Sequence, residues 1–192
     1  MNGLISELYA VWSPSGMAKA NVELPAVQQR TYGLYVIDQP QLTQSYIHIG
    51  HLGGRLDSPD HAPMVVLNEV LNGFGGRLFN DIRSLQGLAY VVYAFWSPRY
   101  DYPGLFIGGG QTRSEATVPF IKTMYQEIQQ VRQEPITAEE LQFAKDAVLN
   151  SFVFNFATPE QTLARLIRYE YYDYPSDFVF QFQKAVESAT VE

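Results

Sequence analysis

The chain has 192 residues, 46% of them hydrophobic and 17% charged, an ordinary balance for a single domain able to bury its own core. It contains no cysteine, which excludes a disulfide framework, thiolate metal sites and cysteine nucleophiles but leaves the compartment open. Thirteen Lys and Arg against 20 Asp and Glu give a net charge of −7, the wrong sign for gripping nucleic acid over a broad face.

Leu4, Ile5, Leu8, Val11 and Trp12 recur at helical spacing. They predict a helix with almost no lead-in, as at the end of a longer one. Its opening has neither the basic nor the apolar region of a signal peptide, and no apolar run approaches the roughly 18–20 residues that span a bilayer. Residues 13–31 carry turn formers and neither period, so they read as a linker. Tyr32 to Ile37 predicts a first strand, stopped by Asp38-Gln39-Pro40, and Gln44 to Gly50 a second, paired to it through the turn. Asp57-Ser58-Pro59-Asp60 is a helix start, followed by an apolar face of Met64, Leu67, Val70 and Leu71.

Gly73-Phe74-Gly75-Gly76 interrupts that helix, and a second amphipathic piece follows on Leu78, Phe79, Ile82 and Leu85 before Gly87 closes it. Leu88 to Trp96 predicts a strand. Ser97 to Gly104 predicts a hairpin loop, and Leu105-Phe106-Ile107 a strand that runs out at Gly108-Gly109-Gly110. Three capping boxes then announce helices: Thr112-x-x-Glu115, Thr137-x-x-Glu140 and Thr158-x-x-Gln161. Their apolar stripes are Phe120, Ile121, Met124, Ile128 and Val131, then Leu141, Ala144, Val148 and Phe152, then Leu163, Leu166, Ile167 and Tyr171. A last helix covers Asp177 to Val186. Strands, an intervening helix and then successive helices make an α+β fold, a mainly antiparallel sheet with helices packed on one face, in a single domain over 32–192.

His48 and His51 form H-x-x-H, but positions i and i+3 of a strand face opposite ways, and a third ligand would have to be His61 or a distant carboxylate. They read as strand and loop histidines, with no metal site. Gly73-x-Gly75-Gly76 lacks a leading strand and the Gly-Lys-Ser/Thr of a phosphate loop, and no G-x-S-x-G elbow exists. The richer run extends from Gly75-Gly76-Arg77-Leu78-Phe79 through Ile82-Arg83 to Gly87-Leu88-Ala89-Tyr90. Read locally it is a helix, turn and strand, with Arg83 off the apolar stripe and Tyr90 seven residues on.

This run resembles the signature of the second half of pitrilysin/insulinase-family zinc peptidases, the inverzincins, which include the mitochondrial processing peptidase. The context is also similar: a linker after a terminal helix, Ile47-His48-Ile49-Gly50-His51, the Pro59 helix, the Gly-rich break, two strands, then long helices. In that family two homologous α+β halves, each a LuxS/processing-peptidase-like two-layer domain, enclose a chamber. One half carries H-x-x-E-H for zinc and the attacking water, and the other presents an Arg and a Tyr. The resemblance implies that Arg83 and Tyr90 are substrate-binding or transition-state groups. It also implies that zinc belongs to a partner half, in the same chain or a separate subunit, because no H-x-x-E-H occurs here. The implied substrate is a peptide or unfolded polypeptide, and the isolated chain has no metal or complete catalytic set of its own. On this reading the chain is the second half of a larger protein, entered inside a helix and cut short at Ser188-Ala189-Thr190-Val191-Glu192. The alternative is a peptide-binding or structural core subunit of the same fold without catalysis.

Overall fold

The computed structural model describes Glu7, Ala10, Val11, Ala26, Val27, residues 31–73 and residues 75–191. Of the terminal helix expected over residues 4–12, Glu7, Ala10 and Val11 are described and helical; the rest of it, and nearly all of the linker, lie outside the described residues.

Three strands, β1 (Gln44–Leu52), β2 (Ala89–Ser97) and β3 (Leu105–Arg113), form an antiparallel sheet in the order β1-β3-β2. Five α-helices accompany it among the described residues: α1 (His61–Asn72), α2 (Thr117–Gln133), α3 (Ala138–Ser151), α4 (Pro159–Tyr171) and α5 (Phe178–Ser188). The fold is α+β, and the sheet packs against helices on one face.

Alternation along the strands sorts side chains between core and exterior. Ile47, Ala94 and Phe106 point inward, onto Leu71 of α1 and onto Phe120 and Met124 of α2. Leu78 and Ile82, from the segment between α1 and β2, fill the same core. Each such fully buried side chain contributes on the order of 1.5–3 kcal/mol. A second cluster forms behind α1, where Ala62, Val66 and Val70 meet Ala144 and Val148 of α3 and Val186 of α5. Helix α1 is therefore apolar on two sides, between the sheet and the outer helices.

The edges of the sheet are treated differently. Along β2, Asn68 and Asn72 of α1 replace the missing neighbouring strand. The Asn68 side chain accepts from Trp96 N at 2.7 Å and donates to Trp96 O at 3.1 Å, and Asn72 accepts from Ala94 N at 2.7 Å and donates to Ala94 O at 2.6 Å. The match is geometric: four residues rise about 6 Å along a helix, and two residues advance about 6.6 Å along a strand. Two amides one helical turn apart thus meet alternate residues of an edge that would otherwise be open. On the far side of β1 no described strand pairs.

Several expectations need correction. Tyr32–Ile37 forms no strand and no hairpin with β1, and its side chains stand in solvent across a groove from that strand. Strand β3 does not run out at its glycines but continues to Arg113. A Cβ on Gly110 would lie 2.8 Å from the Phe120 ring, so the bare backbone there is what lets α2 press a Phe against the central strand. Thr112 is consequently a buried strand residue whose hydroxyl donates to Leu88 O rather than capping a helix, and α2 begins at Thr117. The Thr137 box forms in full, and Thr158 caps α4 through Gln161 N. Phe152 belongs to a 3₁₀ segment, Phe152–Phe156, after α3. Most of the α4 stripe, Leu163, Leu166, Ile167 and Tyr171, is exposed among the described residues.

Two outcomes follow. Asn72→Ala leaves the Ala94 N–H and C=O without partners, so urea denaturation should show a loss of about 1–3 kcal/mol. An unchanged midpoint would contradict the edge-capping role. His61, at the start of α1, stacks near Phe182 with ring centroids 4.9 Å apart, and burial lowers its pKa to about 4. Its neutral form is therefore the folded form. Stability should be complete above the unfolded value near 6.5 and should fall as pH drops from there toward 4, by at most about 3 kcal/mol. His61→Leu should flatten that part of a denaturation-versus-pH curve.

Candidate functional site

After α1 the chain breaks at Gly73 and returns toward the sheet through a seven-residue π-helical segment, Phe79–Leu85. Its widened turn is closed by Gln86 N donating to Asp81 O at 3.0 Å, five residues back. Gly87 then takes φ +61°, the left-handed geometry that ends a helix, and Leu88 N donates to Ile82 O at 2.9 Å. The Gln86 side chain secures the turn twice, donating to Asp81 Oδ2 at 3.0 Å and accepting from Thr123 Oγ1 of α2 at 3.2 Å.

The strand that follows begins with a second irregularity. Ala89 pairs with Thr112 and Val91 with Gln111, so Tyr90 is an extra residue, a β-bulge with no partner in the register. One surplus residue in the helical turn and one in the strand bring two side chains together. The Arg83 guanidinium lies 4.7 Å from the centroid of the Tyr90 ring and 4.8 Å from that of Phe79. Arg83 is half-buried and Tyr90 is 78% exposed, so a guanidinium oriented by two aromatic faces lies beside an accessible phenol. The pair singled out from sequence is in contact.

The exterior face of the sheet continues from this corner. Gln111, opposite Val91, donates to the Tyr46 hydroxyl at 2.9 Å and also to Gln44 Oε1. One rung further, the Tyr93 hydroxyl and His48 Nδ1 lie 3.0 Å apart across Gly109, and Tyr93 stacks on Phe95. His51 instead stacks on Phe106 and contacts Leu52 O, and His61 lies at the α1–α5 contact. The three histidines are thus dispersed, and among the described residues no three His, Asp or Glu side chains converge on a point that could hold a metal. No helix among the described residues is long and apolar enough to cross a membrane.

Sequence reasoning missed Arg77, two residues before the π-helical segment begins. Its guanidinium grips Glu140 through Nε to Oε1 at 2.6 Å and Nη2 to Oε2 at 2.9 Å. The same carboxylate accepts from Thr137 N at 2.8 Å, as the return arm of the α3 capping box. Hydrogen bonding to Arg77 pulls Glu140 down to about 2, against the opposing effect of burial, and Glu140 in turn raises Arg77. Burial and the neighbouring Asp81 raise Glu127. The segment bearing Arg83 is in this way anchored to the start of α3. The available signal was a single Arg next to a Gly-Gly break, which spacing alone does not link to a glutamate 63 residues away.

Residues 3–148 match the family model described as the peptidase M16 inactive domain. The chain belongs to the peptidase M16 inactive-domain family. It is 28% identical over 123 residues to the uncharacterized zinc protease YmxG of Bacillus subtilis, covering 64% of this chain and 30% of that protein. The crystal structure of a peptidase M16 inactive domain from Pseudomonas fluorescens superposes with a TM-score of 0.70 at 27% identity, over 77% of this chain and 35% of that one. The inactive peptidase domain from Bordetella parapertussis shares the fold, with a TM-score of 0.68 at 19% identity, over 81% of this chain and 82% of that one. The M16 inactive domain therefore spans about a third of the length of the zinc protease YmxG and of the Pseudomonas chain.

The Arg77–Glu140 link makes a measurable claim for this M16 domain. Glu140→Gln should destabilise it by about 1–3 kcal/mol, because a half-buried guanidinium loses its charged partner. Since Glu140 titrates below its ordinary value, the wild-type advantage should be full above about pH 4.5 and shrink as pH falls toward 2. Equal stability of the two proteins at pH 7 would contradict the anchor.

Proposed function

We propose that this chain is the non-zinc half of an M16 zinc endopeptidase and that Arg83 and Tyr90 face the peptide during cleavage. The reading rests on one observation above others, the stacking of an oriented guanidinium against an exposed phenol at two coincident backbone irregularities. On this reading the zinc and the residue that activates water belong to the partner half, the half that carries the H-x-x-E-H this sequence does not contain. What this chain supplies is donors. A peptide carbonyl gains negative charge on oxygen when water adds to it, and a positioned Tyr O–H or Arg N–H stabilises that charge more than it stabilises the neutral carbonyl. Arg also presents a planar fork that can hold a neighbouring carbonyl or a terminal carboxylate. The substrate class is a peptide or an unfolded polypeptide entering between the halves.

The test is peptide hydrolysis by the assembly of this chain with its zinc-bearing half, wild type against Arg83→Ala and Tyr90→Phe, with folding of each variant checked. Each substitution should lower kcat/KM about tenfold or more, equivalent to at least about 1.4 kcal/mol of transition-state stabilisation. Unchanged rates in well-folded variants would refute the assignment. A wild-type assembly that binds peptides without cutting them would favour a peptide-holding subunit of the same fold.

A further inference from the structure

The face of the sheet turned away from the helices carries hydrogen bonds that the proposed function does not use. Strand pairing places Tyr46, Gln111 and Val91 on one rung and His48, Gly109 and Tyr93 on the next. A Cβ on Gly109 would lie 3.2 Å from the Tyr93 hydroxyl oxygen, so the bare central strand leaves the phenol room to reach His48 Nδ1 at 3.0 Å. Tyr46 and His48 are exposed and Tyr93 is half-buried. Tyr93 follows the Tyr90 bulge by three residues, roughly 10 Å of strand, a span that about three residues of an extended peptide also cover.

Counting hydrogens defines what this rung can take. A neutral imidazole carries one N–H and a phenol one O–H. In either tautomer one of these two hydrogens serves the His48–Tyr93 bond, and the other is left for an outside acceptor. Tyr46 stands likewise: its oxygen accepts from Gln111 Nε2 at 2.9 Å, which leaves its own O–H to donate. The strands themselves supply no anion. No Asp or Glu occurs in β1, β2 or β3, in a chain with 20 acidic residues, and Arg113 pairs with Glu115 beyond the strand end at 3.5 Å. Spare donors on a carboxylate-free face, continuous with the corner that holds the Arg83 guanidinium, complement an acceptor that carries negative charge. We propose that the His48–Tyr93 pair, with Tyr46 beside it, determines specificity by receiving an acidic side chain of the peptide about three residues from the cleaved bond. The inference rests on the reading of Arg83 and Tyr90 as groups that face that bond.

Unstructured peptides identical except for Glu, Gln or Lys at one scanned position test it on the complete two-half protein. Binding is read by displacement of a fluorescent peptide, and hydrolysis by mass spectrometry of the same samples. At one position the wild type should bind the Glu peptide about fivefold or more tighter than the Gln peptide, and the Lys peptide more weakly than either. In the double variant His48→Leu, Tyr93→Phe the ratio of Glu to Gln affinity should fall to about one, the loss falling on the Glu peptide. Tyr93→Phe alone, which removes a single hydroxyl, should lower the same ratio and supplies the answer if the double variant does not fold. Equal binding of Glu and Gln peptides by the wild type at every position would overturn the inference. So would a ratio that survives in the folded variants while both peptides weaken by the same factor, the mark of a structural role. A Glu preference that depends on the pair in a protein that cuts no peptide would refute the peptidase reading and support the subsite, whereas a wild type that binds none of the peptides would overturn both.

Discussion

The hydrogen bonds from Asn68 and Asn72 to Trp96 and Ala94 fix the geometry from which the site follows. They hold α1 along the edge of β2, so the chain leaving α1 at Gly73 must return to the start of the same strand at Ala89. The intervening residues form a closed loop with both ends attached to one sheet. Within it Leu78 and Ile82 are fully buried, which sets the rotation of the helical turn and leaves Arg83 at its margin. A loop held at both ends by backbone hydrogen bonds can keep irregular geometry that a free loop would relax.

That constraint explains how an individually weak contact is maintained. Stacking of a cation on an exposed aromatic ring is worth only about 0.5–1 kcal/mol, too little to order a segment by itself. The ordering comes from the π turn, the left-handed Gly87, the Gln86 bridge to Asp81 and Thr123, and the Arg77–Glu140 pair, which ties the segment to the cap of α3. The cation–aromatic contact then selects orientation. In the proposed function, a preorganised donor costs little to reorganise when charge develops beside it, an advantage of a pair built on a sheet corner over one on a free loop.

Much of this was legible in the sequence, and the losses have identifiable causes. Long 3.6-residue stripes gave α2 and α3, and the Thr137 box marks a real helix start, because local periodicity and capping act within one turn. Arg83 and Tyr90 are singled out by a motif, and the structure places their side chains in contact. Spacing could not show the two surplus residues that bring them together, since a π turn and a β-bulge look like ordinary helix and strand in an apolar pattern. Gly108 to Gly110 read as a strand end because glycine weakens strands intrinsically, yet packing of Phe120 against the central strand reverses that preference. Tyr32–Ile37 has strand composition, but a strand exists only with a neighbour, and no described strand pairs with it. Asn68 and Asn72 carried a readable signal, two amides at i and i+4 on a core helix, whose meaning depends on which strand lies alongside.

In the proposed function Arg83 and Tyr90 act as one unit, because the backbone holds them in contact. The most direct measurement is a double-mutant cycle on kcat/KM in the assembled peptidase, using Arg83→Ala, Tyr90→Phe and the double variant. A cooperative pair predicts that the double variant loses little more than the worse single one, with a coupling energy above about 0.5 kcal/mol. Strictly additive losses would mean that the two residues act independently, and the stacked geometry would then have no part in catalysis.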